Sequence, residues 1–424
     1  MRMAYNGYIT TIKELRKHSN ADRLMVATVF GNDVIVSLDY EIGDKVLYFP
    51  TDGKLSEEYA KENKLTRSMG GYLDDNKRHV TSIKLRGEKS DGLLMKVESL
   101  SKFTNVKDLK DGDTISTLNG VLICEKYIPK SSQVKAMPNR KDGKKAEKKN
   151  EFPFFEQHID TAQLAYNLGQ FKEGDLVTLT LKLHGTSQRT AHTIKKGKEN
   201  FLHKIAKSLL GVELNKKWDY VTGTRRVTLE SFDGGFYGGN QFRKQWHDLF
   251  VGKLHKGESV YLEVVGYTDD GALIMPECDN KKTKDKEFIK KYGDKTQFTY
   301  GCGFGQSDIY VYRMTMTNED GHVFEYPTEL AQLRCEQMGV KHVPVLDKFI
   351  FTTTEDLLER VNKHMEISDP IGKTHVSEGV IARIENREKF TALKHKGFYF
   401  KMLEGIIKSE DVLDMEEENS ETIE

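Results

Sequence analysis

Apolar and polar residues alternate in short runs through much of this chain. From Leu176 to Leu183, every second position is apolar (Val177, Leu179, Leu181, Leu183), a period of two that predicts a strand buried on one face. That strand delivers Lys182, then His184, Gly185, the hydroxyls of Thr186 and Ser187, and Arg189. Residues 1–128 hold shorter runs of the same kind: MAYNGYITTIKEL, RLMVATVF, DVIVSLDY and KVLYFP, separated by GND and EIGD turns. They predict a β-rich unit. Beyond 150, helical patterns join the strands. Asp160 is placed to cap a short helix carrying Leu164 and Leu168, and ENFLHKIAKSLLGVELNKKW reads as an amphipathic helix. Further helices are predicted over 240–251, in EYPTELAQLRCEQMG, and in TTEDLLERVNKHM behind its threonine cap. The mixed-charge block DNKKTKDKEFIKKYGDK reads as a loop. The pattern as a whole is α+β, with two sheets and peripheral helices in its larger part.

Composition alters this picture at two places. Residues 129–150 carry eight basic residues against two acids and no apolar period, the mark of a basic linker with a capacity to grip phosphates. The last twenty residues hold eight acids and one lysine, a net of −7; since the 424-residue chain sums to zero, +7 remains on the rest. The expected organisation is therefore a unit at 1–128, a linker at 129–150, a second domain at 151–408 and an acidic tail at 409–424. Four scattered cysteines without a CxxC pair argue against zinc or a disulfide framework and for a reducing cytoplasm (a host cytoplasm if the source is viral). No run approaches the ~18 apolar residues of a membrane span, and the first residues lack the apolar core of a secretion signal. The glycine cluster of LESFDGGFYGGNQF has neither a phosphate-loop lysine nor GxGxxG spacing, so it reads as a turn. Lys84, Arg86 and Lys89, in HVTSIKLRGEKSDGLLMKV, are the candidates for nucleic-acid contact in the first unit.

Six segments in order resemble the motifs of the covalent nucleotidyltransferases, the superfamily of ATP-dependent ligases and capping enzymes. KLHGTS resembles the nucleophile motif KxDG, and GTRRV (223–227) the arginine motif that follows it. VYLEVVGY (260–267) resembles the ribose-contacting glutamate motif, and IYVYRMT (309–315) the aromatic strand under adenine. SEGVIAR (377–383) resembles the motif with a metal-side glutamate, and ALKHKGFYFKMLEG (392–405) the closing lysine pair with the tail common in RNA ligases. His184 stands where aspartate is usual, a variant that is similar to the Deinococcus-type branch of RNA ligases. HSNADRLMVATV with GDKVLYFP resembles OB-type tRNA-binding modules, which implies an OB-like β-barrel in front of an ATP-grasp-like nucleotidyltransferase domain with two antiparallel sheets. DNA ligases and capping enzymes continue into a C-terminal OB domain, for which the chain after Lys396 has no room.

The resemblance implies an ATP-dependent RNA ligase that seals RNA 3′-hydroxyl and 5′-phosphate ends, at nicks in duplexes, through lysyl–AMP and an adenylylated 5′ end. It assigns Lys182 as nucleophile, with Lys394 and Lys396 touching the α-phosphate, and ATP with Mg²⁺ or Mn²⁺ as cofactors. Glu378 would hold the metal through water and Glu263 a ribose hydroxyl. Tyr312 would stack on adenine, with Tyr310 a rival two residues earlier, and Arg189 and Arg225 would grip phosphate or ribose, with Arg226 a rival to the latter. His184 and Gly185 complete the nucleotide set, with Glu156, His158 and Ile159 as secondary candidates. Every motif directed at ATP lies beyond the linker, so residues 151–424 alone are expected to take up AMP. Two alternatives are an RNA guanylyltransferase-like enzyme, which shares the lysine chemistry, and a non-catalytic OB-type RNA-binding protein, which would leave the six motifs unexplained.

Overall fold

The computed structural model describes residues 5–129, 151–197, 216–233 and 240–410. Nearly all of the basic linker, the amphipathic insert as far as residue 215, the glycine cluster at 234–239 and the acidic tail from 411 lie outside the described residues. What is described is α+β, as expected, in two units whose sheets are mostly antiparallel.

The N-terminal unit is built on a four-stranded antiparallel sheet in the order Leu93–Lys96, Lys45–Phe49, Gly7–Thr11, Thr114–Ile115. Alternation buries both faces. Ile9, Leu47 and Phe49 pack with Leu55, Tyr59 and Leu100, while Val46, Tyr48 and Leu94 pack with Ala27, Val34 and Val36. The second set comes from a meander of Glu14–Lys17, Leu24–Val29 and Asn32–Ser37. These sheets stay separate: among the described residues none closes into a barrel.

The second unit holds two five-stranded sheets. The first runs Ala162–Gln163, Thr391–Lys396, Gly379–Ile384, Leu176–Lys182, Val345–Ile350. The second runs Lys216–Gly223, Thr186–Lys196, Glu258–Gly266, Ser307–Thr317, Val323–Glu325. The chain passes from one to the other at Leu183–Gly185, immediately after Lys182. A side chain at Gly185 would lie 2.4 Å from the Val264 carbonyl, so the crossing requires glycine. Helices Gln241–Phe250, Thr328–Met338 and Thr354–Asn362 form at their expected places. Three local expectations fail. Asp160 caps no helix: the segment becomes the short strand Ala162–Gln163 and two 3₁₀ turns, because that strand completes the edge beside Lys394. The end of the amphipathic insert, Lys216–Trp218, opens a strand paired with Ile194–Lys196. In the mixed-charge block, Asp285 caps a helix over Lys286–Tyr292.

The two units are knit together around the C-terminal helix Phe398–Ser409. Its apolar side (Phe400, Leu403, Ile407) joins the core of the second unit, while Gly405 lies close to Thr81 of the first. Lys84 donates to Asp285 at 2.6 Å and to the Tyr399 hydroxyl at 3.4 Å, and Lys89 lies 3.7 Å from Glu366, over the Phe398 and Tyr399 rings. These two lysines, expected to contact nucleic acid, therefore belong to the seam between the units, because acids and rings of the second unit face them. Arg86 is exposed at the hairpin turn, with a left-handed φ of 49°. Tyr166 crosses the other way, stacked on Tyr8 at 4.2 Å and edge-on to Phe30 at 5.2 Å. Tyr166→Ala is expected to lower unfolding free energy by about 2–3 kcal/mol, measured by denaturant titration, with Tyr166→Phe recovering most of it. An unchanged midpoint for the alanine variant would remove this ring from the anchor.

Candidate functional site

A cavity of about 420 Å³ opens between the two sheets and is closed on one side by the N-terminal unit. Lys182, Lys394 and Lys396 line it together with Glu263, Tyr312 and Arg225. Strand register makes this meeting. Lys182 pairs with Gly379, and Gly379 pairs with Lys396, so three motifs end side by side on adjacent strands. Gly379 allows the approach: a side chain there would lie 2.0 Å from the His395 carbonyl, at a φ of +152°. Glu378, one residue earlier and 1% exposed, accepts Lys182 at 2.8 Å and lies 3.6 Å from Lys396. Lys394 and Lys396 share one face of their strand, as the period of two requires.

Behind Lys396 stands Glu404, on the first turns of the C-terminal helix. Both its oxygens lie 3.0 Å from Lys396 Nζ. Burial alone would push this carboxyl up, but Lys396, Lys408 and His184 outweigh it and hold the carboxyl well below the usual range. His184 itself does not line the cavity. Its ring sits edge-on between Phe298 at 4.7 Å and Phe400 at 4.9 Å, and its backbone N–H donates to the Tyr300 hydroxyl at 2.7 Å. It is also one of the groups that hold the Glu404 carboxyl down.

At the opposite side of the cavity, the rivalry between the two tyrosines is decided by a β-bulge. Tyr261 pairs with Arg313 but Leu262 with Val311, so the register slips at Tyr312. Residues two apart normally share a face; here Tyr310 turns into the core and Tyr312 into the cavity. The Tyr312 hydroxyl is 3.1 Å from His158 Nδ1. Glu263 is 5% exposed and accepts from the Ser187 hydroxyl at 3.3 Å, across the strand pair that joins them.

The arginines divide differently from expectation. Arg189, expected to grip phosphate or ribose, is 2% exposed and spends its guanidinium on backbone carbonyls: Thr224 at 2.8 Å, Phe155 at 3.1 Å and Glu156 at 2.7 Å. It pins the 155–156 segment to the cavity wall, with burial lowering its pKa to about 10. Arg225 and Arg226 both line the cavity and share Asp160: Arg225 donates twice to Oδ1, at 3.0 and 2.6 Å, and Arg226 to Oδ2 at 2.7 Å. The structure gives neither arginine precedence. Of the secondary candidates, His158 lines the cavity and Glu156 contributes its carbonyl to Arg189.

The site also contains residues that sequence reasoning missed. Tyr5, Tyr8, Asp52 and Lys126 of the N-terminal unit line the same cavity, so the second domain does not supply all of its walls. No motif marks them, since their place depends on how the units dock. Glu404 did carry a signal, the acid of the MLEG segment next to the lysine pair. Among the described residues no cluster of three or more metal-ligating side chains occurs. Glu378 is buried against Lys182 and Lys396 rather than on the cavity lining, so it would hold a hard divalent ion only through water, with phosphate oxygens in place of a protein cage.

No family model matches the chain, and no curated protein matches it by sequence. Its fold does have solved relatives, among them structures of an RNA ligase from Naegleria gruberi. A lysine-to-alanine variant of that ligase with ATP and Mn has a TM-score of 0.59 at 16% identity, over 94% of this chain and 99% of that one. An apo aspartate-to-alanine variant gives 0.59 at 16%, over 94% and 98%. The ligase with PPi gives 0.55 at 16%, over 93% and 97%. The chain is thus similar in fold, across both of its units, to an RNA ligase.

Proposed function

We propose that this protein is an ATP-dependent RNA ligase working through a lysyl–AMP intermediate. The observation that carries the reading is the convergence of Lys182, Lys394 and Lys396 on one cavity wall, with Tyr312 and Glu263 on the facing sheet. The similarity in fold to the Naegleria ligase supports it. In the first step Lys182 Nζ attacks the α-phosphorus of ATP. A P–N bond forms, the bond from the α-phosphorus to the bridging oxygen breaks, pyrophosphate leaves, and the amine gives up a proton. An RNA 5′-phosphate oxygen then attacks the same phosphorus and breaks the P–N bond, giving an adenylylated end. Finally an RNA 3′-hydroxyl attacks the 5′-phosphate phosphorus, loses its proton, and AMP departs.

Negative charge gathers on phosphate oxygens in each step, so fixed cations and positioning are the chain's contribution. Lys394 and Lys396 are placed to meet the α-phosphate. Tyr312 offers a ring face to adenine and Glu263 an acceptor to the ribose. A divalent cation held by Glu378 through water would neutralise charge building on the phosphates. The N-terminal unit, read as an OB-like module, and the basic linker would hold the strand away from the reacting ends. The proposed partner is RNA with 3′-hydroxyl and 5′-phosphate ends in a nicked duplex, and the proposed compartment is the cytoplasm.

Lys182→Ala is expected to abolish covalent labelling by α-labelled ATP and Mg²⁺ while the thermal melt is kept. The wild-type adduct should be acid-labile and base-stable. Label that moves to another residue, or that is taken only from GTP, sinks the assignment and in the second case favours a guanylyltransferase. Tyr312→Ala should raise the ATP concentration for half-maximal labelling by roughly tenfold, from ~1–3 kcal/mol of lost stacking, and Tyr312→Phe should not. Equal losses in the two variants would assign the effect to the hydroxyl and His158. Four nicked duplexes, differing only in ribose or deoxyribose at each end, test the substrate. Sealing should need ribose at the 3′-hydroxyl side, and efficient closure of an all-DNA nick would overturn the RNA reading.

A further inference from the structure

A row of charges runs from the N-terminal unit to the nucleophile. Asp52 accepts Lys408 Nζ at 2.8 Å, and Lys408, its side chain 1% exposed, also lies 3.3 Å from Glu404 Oε1. Glu404 holds Lys396 at 3.0 Å, Lys396 is 3.6 Å from Glu378, and Glu378 is 2.8 Å from Lys182. Signs alternate from Asp52 to Lys182 without a break. Between Asp52, His79, Lys401 and Glu404 the free space is about 10 Å³, room for at most one water, while Asp52 also borders the large cavity with its side chain 28% exposed.

The first member is rigidly placed. Asp52 N–H donates to the Val80 carbonyl at 2.9 Å, and its own carbonyl accepts Tyr127 N–H at 3.0 Å. Its φ is +73°, a left-handed conformation uncommon for a residue with a side chain. Docking alone gives no reason to bury a lysine between two acids, since an apolar contact would do it at lower desolvation cost. What Lys408 adds is a link: the acid that holds Lys396 shares a cation with an acid of the other unit.

We infer that Asp52 of the N-terminal unit is a positioning residue for lysine adenylylation, acting through Lys408 and Glu404 on the placement of Lys396. The N-terminal unit then takes part in the first chemical step as well as in holding a strand. The inference rests on the lysyl–AMP reading given above. It predicts that the loss falls on the chemical rate constant and that Asp52 has no effect once Lys408 is gone.

The test is single-turnover formation of the AMP–protein adduct from α-labelled ATP by the full chain. Lys408→Met is expected to lower the rate constant at saturating ATP about tenfold, with half-saturation moving less than about twofold, and Lys408→Arg to recover to within about threefold. Asp52→Asn should slow the otherwise wild-type protein at least about threefold and leave Lys408→Met unchanged, the non-additivity of residues acting in series. Equal slowing in both backgrounds would mean that Asp52 acts on the nucleotide directly from the cavity wall, and overturns the inference. So does an effect confined to half-saturation. Should Lys408→Met not fold, Asp52→Asn against Asp52→Glu decides: the rate constant must fall in the first and return in the second. Absence of label in the unmutated protein would instead remove the lysyl–AMP reading, and this inference with it.

Discussion

The Glu378 carboxylate, 1% exposed, carries Lys182 at 2.8 Å and Lys396 at 3.6 Å, and the rest of the site is arranged around that pairing. A carboxylate so deeply buried without cations would cost several kcal/mol. The three strands ending at Lys182, Gly379 and Lys396 supply those cations by register alone. Shifting any of the strands by one residue would turn its side chains to the other face. It would also leave Glu378 uncompensated, so the hydrophobic alternation and the ion pairs select the same pairing.

Cations in this site do two kinds of work. Lys182, Lys394, Lys396, Arg225 and Arg226 face the cavity, whereas Arg189 is consumed by three carbonyls and holds the wall in place. The difference follows from burial. A guanidinium at 2% exposure must satisfy its donors locally, and a segment without regular structure (residues 155–156) offers unpaired carbonyls to it.

The seam between the units repeats that economy. Lys84, Lys89, Lys401 and Lys408 each cross it to an acid of the other unit, and Tyr166 crosses it to an aromatic cluster. A surface that looks basic in sequence is thereby neutralised in the fold.

The sequence by itself determined the strand that carries Lys182, the α+β class and most of the residues that meet around its end, because a period of two and a local motif are properties of a few neighbouring residues. Lys182, Glu263, Lys394 and Lys396 on the cavity, and Glu378 paired with two of these lysines, were legible in this way. Tertiary structure alone decided the rest. That Tyr312 and not Tyr310 faces the cavity depends on a bulge created by pairing with a strand some fifty residues earlier. That Asp160 receives two arginines rather than capping a helix depends on the sheet edge beside Lys394. That His184 sits in an aromatic box depends on Phe298 and Phe400, more than a hundred residues further along the chain, and that Asp52 and Tyr5 wall the cavity depends on docking between the units. Periodicity records which face of an element is buried; it carries no record of what that face is buried against, and the partner is what sets the role of a polar side chain.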